Sequence, residues 1–311
     1  RAEDDLNKRT KILYTATDSS GEFYRTTFTS LFSYVSLRIP EISDEIYRID
    51  DALKAGFGWQ MGPFEYWDSI GLKKALEDIK SNNLNIASWV TEMVEAGNES
   101  FYKVENGVKF FYDHNSKNYQ AIPGLDKLTI LSNLKSNNTI WENKGVSIID
   151  LGDGVLNLEF HTKMNTIGAE VIQGINKAID LAEKSYEGLV IYNDGSNFSA
   201  GANVGMIFMM AIEQDYDELA FAIKSFQNTM MRVRYSSIPG VVATHQMALG
   251  GGCELAMHSD KVIAHSETYM GLAEFGVGVI PGGGGTTEFA LRLSDSLKDG
   301  DIRTNRFRDR F

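Results

Sequence analysis

Ala248-Leu249-Gly250-Gly251-Gly252-Cys253-Glu254 is the stretch on which the fold turns. It follows a short apolar run, Val241 to Thr244, that reads as a strand, and it opens helical sequence. Three consecutive glycines are costly in conformational entropy, so this strand-to-helix turn requires close backbone approach by something. Glu254 falls in the first helical turn, where the helix dipole favours a carboxylate. A surface glutamate that merely compensates the dipole is the bland alternative.

Upstream lies a second turn of the same kind. Asn197-Phe198-Ser199-Ala200-Gly201-Ala202-Asn203 follows the buried strand Leu189 to Tyr192 and precedes helical sequence from Val204 to about Arg234. Small residues at a strand's carboxyl end admit a ligand to the backbone, and the first amides of the next helix point outward unpaired. An anion or a polarised carbonyl suits such a place. Downstream, Glu274 stands in the apolar, glycine-rich run from Tyr269 to Thr286. A carboxylate desolvated there has its pKa moved upward, which makes it a usable proton donor near neutral pH.

Further out, Val146 to Ile149 and Val155 to Phe160 read as strands. Ala169 to Lys184 reads as a helix with Val171, Ile175 and Ile179 on one face. Strand and helix alternate as in an α/β domain with crossover connections. Before it, Gly21 to Gly97 has helical punctuation: Ser43 can cap a helix running to Gly56, Pro63 suits a first turn ending at Gly71, and Asn85 opens Ile86 to Ala96. Asn106-Gly107, flanked by aromatic residues and valines, is a hairpin signal. The polar stretch from Ser132 marks a boundary, so the expected organisation is a helical domain with a hairpin over 1–131, a linker over 132–142 and an α/β domain over 143–311. Arg1 to Arg9 builds no obvious element, and both chain ends read as cuts inside a longer protein.

Taken together and in order, the three glycine-rich segments resemble the crotonase superfamily, the enoyl-CoA hydratases and isomerases. The resemblance implies a crotonase-like ββα spiral domain, C-terminally truncated, acting on an acyl-CoA thioester. It assigns the backbone amides of Ala202 and Gly251 to an oxyanion hole, Glu254 and Glu274 to the two catalytic carboxylates, and Ala200, weakly, to the CoA-binding region. Of the two acids, Glu254 is the water-activating base and Glu274 the proton donor to C2; having both favours hydration over isomerisation. Asn203 stands where the family commonly has Asp, and Ala273 where it has Pro. The stretch from Ile49 to Gly71, containing Gly56-Phe57-Gly58-Trp59-Gln60-Met61-Gly62-Pro63, resembles the helical C-terminal domain of 3-hydroxyacyl-CoA dehydrogenases. Together these imply a piece of a bacterial multifunctional β-oxidation protein, a homo-oligomer when intact. No Gly-X-Gly-X-X-Gly follows a strand, so NAD is expected only in the parent protein and not here.

Composition narrows the alternatives. The 311 residues are 43% hydrophobic and 23% charged, with 42 acidic and 30 basic side chains for a net charge of -12. That excludes disorder and disfavours nucleic acid and anionic membrane surfaces. A single cysteine, Cys253, and the lack of a long apolar run predict a reducing, cytoplasmic setting. Cys253 reads as a small buried hydrophobe. The methionine-rich run Met206 to Met210 reads as core filler before acyl pocket, and the five histidines lack metal-ligand spacing. Two other readings stay open: a catalytically silent scaffold, and an isomerase of the same superfamily. A serine-peptidase relative is disfavoured, because neither Ser196 nor Ser199 sits in a glycine-flanked elbow.

Overall fold

Two compact units divide the chain between Thr129 and Ile130; the computed structural model describes residues 3, 5–125 and 128–296. The first unit runs through α1 (Leu6–Thr15), α2 (Ser19–Leu37), α3 (Ile46–Phe57), α4 (Pro63–Ile70), α5 (Leu72–Ser81) and α6 (Ser88–Glu95). An antiparallel sheet of β1 (Tyr102–Glu105), β2 (Val108–Asp113) and β3 (Asn118–Ala121) follows. Its core is aromatic: Phe32 stacks on Trp67 with centroids 4.8 Å apart, and Phe101 meets the rings of Phe64 and Trp67 edge-on at 5.0 Å. Buried carboxylates tie the elements together. Asp50 accepts from the Phe64 and Glu65 amides at the start of α4 and from the Tyr102 hydroxyl, while Asp68 accepts from the Phe101 and Tyr102 amides. Burial pushes both carboxyls up to about 7.

Several local expectations need adjusting. Helix begins at Leu6 rather than after Arg9, because Asp5 caps it through the Lys8 amide (3.0 Å) and Tyr14 anchors it by donating to Asp78 (2.9 Å). Ser43 bonds the Glu45 amide but does not cap α3, and that helix ends at Gly58, φ +66, rather than at Gly56. Helix α6 starts at Ser88, not Ile86.

The second unit opens with α7 (Leu131–Asn138) and β4 (Thr139–Glu142). Residues 132–142, expected as a linker, therefore belong to an element-bearing part of this unit: Leu131 is buried, and β4 pairs antiparallel with β5 (Val146–Gly152). Then come β6 (Val155–Phe160), α8 (Ala169–Ser185), β7 (Gly188–Ile191), α9 (Val204–Ile212), α10 (Tyr216–Arg234), β8 (Gly240–Thr244), β9 (Met247–Leu249), α11 (Gly251–His258), β10 (Lys261–Ala264), β11 (Tyr269–Gly271) and α12 (Gly285–Ser296). The six-stranded sheet has the order β10-β8-β7-β6-β5-β4, parallel from β6 to β10 and antiparallel from β6 to β4. β9 and β11 form a short parallel pair. This is a mixed α/β fold, as the alternation of strand and helix in the sequence requires.

The apolar face of α8 makes the core. Val171, Ile175 and Ile179 are buried as their spacing requires, and Gly174 lies so close to β5 that a Cβ there would come within 2.7 Å of Val146. The helical sequence from Val204 to Arg234 is two helices, since Asp215 caps a new one through the Glu218 amide. No residue of α9 is buried, so the Met206 to Met210 run is not core filler. The charged end, 297–311, lies outside the described residues.

Candidate active site

Both glycine-rich turns meet at one point. β9 lies beside the 197–203 turn, with Ser199 N donating to Met247 O (3.0 Å) and Leu249 N to Ser199 O (2.9 Å). Gly201 has φ +88, and a Cβ there would lie 2.7 Å from Leu249 O and 3.1 Å from Gly251 N. No other residue fits that position. The close approach sets the Ala202 and Gly251 amides side by side: a Cβ on Gly251 would be 3.5 Å from Ala202 N. Gly251 is the first residue of α11, so its amide has no intrahelical acceptor. Neither amide donates to a backbone carbonyl among the described residues. Two outward amides, one at a helix N-terminus, can hold a developing oxyanion.

A buried polar network fixes the 197–203 turn. Asn165 donates to Asn193 Oδ1 and Asn197 O, both at 2.9 Å, and Asn193 donates to Phe198 O at 2.9 Å. Ser199 donates to Asn165 O (2.7 Å) and accepts from the Gly201 amide (3.0 Å). That accounts for Ser199 structurally rather than as a nucleophile. Ala200 sits in the same turn, its amide bonded to Met164 O at 3.1 Å. None of Asn165, Asn193 or Phe226 was legible as a site residue from its sequence neighbourhood.

Glu254 is buried, 1% exposed, which removes the surface-glutamate alternative. Its Oε1 accepts from Gly283 N (2.8 Å) and Gly285 N (2.9 Å). The glycines are dictated by this carboxylate: a Cβ on Gly283 would stand 2.5 Å from Oε2, and one on Gly285 3.0 Å from Oε1. Phe226 of α10 closes the site, its ring 3.1 Å from a Cβ built on Gly251. Burial first, then the Glu274 charge, moves the Glu254 carboxyl above the ordinary carboxylate range, against the two amide bonds.

Glu274 starts a 3-10 turn, Glu274–Val277, and its carboxylate rests on the α11 entry: a Cβ on Gly250 would lie 3.2 Å from Oε1. Its Oε2 is buried with no hydrogen-bond partner, and burial raises this carboxyl too. Cys253 is buried, and burial with the charges of Glu274 and Glu254 pushes its thiol up to about 12. The structure thus gathers Ala202, Gly251, Glu254 and Glu274. The cavity of about 550 Å³ in the first unit, lined among others by Lys54, Lys109 and Glu65, is a different place; both lysines there pair with Glu65. Among the described residues no group of three or more metal-binding side chains gathers, and no helix is long and apolar enough to cross a membrane.

Residues 150–297 match the family model described as Enoyl-CoA hydratase/isomerase. The C-terminal part of the chain is a crotonase-family domain of that kind. Over 282 residues the chain is 44% identical to a Bacillus subtilis protein named Probable 3-hydroxyacyl-CoA dehydrogenase, covering 90% of this chain and 36% of that protein. It is 29% identical over 272 residues to a Rickettsia felis protein named Putative fatty acid oxidation complex trifunctional enzyme, covering 88% and 35%. The chain therefore spans about a third of the length of these curated relatives. A solved enoyl-CoA hydratase from Polaromonas is similar over 53% of this chain and 67% of that one, at 26% identity and a TM-score of 0.45.

Proposed function

We propose that the second unit hydrates 2-enoyl-CoA thioesters to 3-hydroxyacyl-CoA. The observation that carries the reading is the meeting of two outward amides, Ala202 and Gly251, with two carboxyls of raised proton affinity, Glu254 and Glu274. Ionised Glu254 takes a proton from water as its oxygen bonds C3 of the enoyl chain. Electron density moves to the thioester oxygen, where the two amides receive it; removing one such donor costs about 3 kcal/mol. Protonated Glu274 then gives its proton to C2, and the enolate collapses to the saturated thioester.

A relative named for a fatty acid oxidation complex and one named as a 3-hydroxyacyl-CoA dehydrogenase support such a setting, and we carry it over to the parent of this chain. In that setting the first unit is a 3-hydroxyacyl-CoA dehydrogenase C-terminal-like module, and NAD binds to a fold outside this sequence. A reducing cytoplasm and homo-oligomeric assembly belong to the same proposal. Hydration of crotonyl-CoA, followed as loss of the enoyl absorbance, tests it: Glu254→Gln and Glu274→Gln should each lose roughly 100- to 10,000-fold in rate. Undiminished turnover in either variant refutes the assignment. Double-bond migration without hydration would give the site to an isomerase instead.

A further inference from the structure

Behind the site, on the side of α11 facing α12, lies a buried charged cluster that the chemistry above does not use. Glu288, 3% exposed, is one turn into α12. Its Oε2 is bonded by Arg234 from the end of α10, and Arg292 Nε, one turn further along α12, lies 3.8 Å from it. Its Oε1 faces His258 Nε2 at 3.8 Å. His258 is also 3% exposed, and its Nδ1 lies 2.7 Å from the carbonyl oxygen of Glu254; a carbonyl only accepts, so Nδ1 carries the proton.

We propose that Glu288 is a positioning residue for Glu254: held by Arg234 at the end of α10, its side chain fixes the start of α12 and with it the two glycine amides that bond the Glu254 carboxylate. The inference rests on Glu254 as the reacting base.

The connection is short and runs through main chain. The Glu288 amide donates to Gly284 O (3.0 Å), and Gly284 lies between Gly283 and Gly285, the two donors to Glu254 Oε1. One turn further along α12, Arg292 bonds Met257 O and, at 3.1 Å, Ser259 O, closing the end of α11. The two helices are thus joined by hydrogen bonds at two points, Glu254 to the glycine loop and the α11 carbonyls to Arg292, with His258 facing Glu288 between them. A buried carboxylate requires such a partner, and taking Glu288 away leaves Arg234 without its acceptor and α12 without its tie to α10. The α12 N-terminus, which carries the glycine amides, is then less firmly held. Around Glu254 the facing titratable groups are Glu274 and Cys253; around Glu288 they are Arg234, His258 and Arg292.

Titrating Glu254 in the 311-residue chain tests this without turnover. Infrared difference spectra of isotope-labelled glutamate carboxyls, with Glu254→Gln as the assignment, follow its protonation. In Glu288→Ala the Glu254 carboxyl is expected to protonate at higher pH, by about half a unit or more, because amides that stabilise the anion have withdrawn. Glu288→Gln, which still offers Arg234 an acceptor, is expected to restore most of the wild-type position. If Glu288→Ala does not fold, Arg234→Gln should shift the titration in the same direction. A folded variant whose melting temperature falls while the Glu254 titration stays put makes Glu288 a structural staple and overturns the proposal. Crotonyl-CoA kinetics separate this from the hydratase reading. A wild-type chain without hydration sinks that reading and leaves the titration result standing. With hydration present, kcat should fall roughly tenfold in Glu288→Ala with KM nearly unchanged.

Discussion

Gly283 lies against the Glu254 carboxylate so closely that a Cβ there would stand 2.5 Å from Oε2, while its own amide donates to Oε1 at 2.8 Å. Contact and hydrogen bond come from the same residue. Gly283→Ala should keep the circular dichroism of the folded chain and displace the carboxylate, lowering crotonyl-CoA hydration roughly 100-fold or more. A rate near wild type would show that Glu254 has room to retreat without loss.

Burial raises both acids, and the Glu274 charge raises Glu254 further. The base must be ionised and the donor protonated, so the pH dependence of kcat/KM should be bell-shaped. Its acid limb should lie above the ordinary carboxylate range, and its two apparent values belong to the pair. Glu274→Gln removes the proton donor, so in whatever rate remains the alkaline limb should disappear while the acid limb, set by Glu254, stays. Loss of the acid limb instead would give the base role to Glu274.

In the first unit, Asp50 and Asp68 protonate near 7 in the fold against an ordinary value of 3.8. Between those values the folded chain binds more protons than the unfolded one, so stability falls as pH rises. Their contribution is fully present below the unfolded value and lost through the folded one, on the order of 4 kcal/mol for each group. Urea midpoints should therefore drop from about pH 5 to about pH 8, and Asp50→Asn should flatten the slope. A midpoint that rises over this range contradicts the assignment.

Cys253 has its thiol pushed up to about 12, so it should resist thiol-specific alkylation in the folded chain at mildly alkaline pH and react once unfolded. Mass spectrometry of the two samples decides. Cys253→Ala should retain hydration, because no step uses the sulfur.

Local chemistry with a fixed period or turn type was readable from the sequence. Asn106 and Gly107 take φ +50 and +77 and join β1 to β2, and the spacing of Val171, Ile175 and Ile179 located the core face of α8. β3 was not readable, because Asn118-Tyr119-Gln120-Ala121 lacks a strand composition and is held by pairing with β2. The same holds for α7, whose polar sequence is anchored by Leu131 and by the Lys135 ion pair with Glu159 at 2.7 Å. The site residues carried by glycine-rich turns were found by their neighbours in the chain. Glu288, His258 and Asn165 were not, since each matters through a partner at least 28 positions away or through a main-chain atom.

The α12 entry grips Glu254 with peptide nitrogens alone. A peptide N–H is present in every encoded residue but proline, so any other substitution leaves this anchor in place and can only crowd it. Across replacements at Gly283 and Gly285 other than proline, tolerance should therefore rank by side-chain volume and ignore polarity, and proline should fail at either position by removing the donor. A mutational scan would meet at these two codons a constraint on space, whereas at Glu254 itself it would meet a constraint on charge.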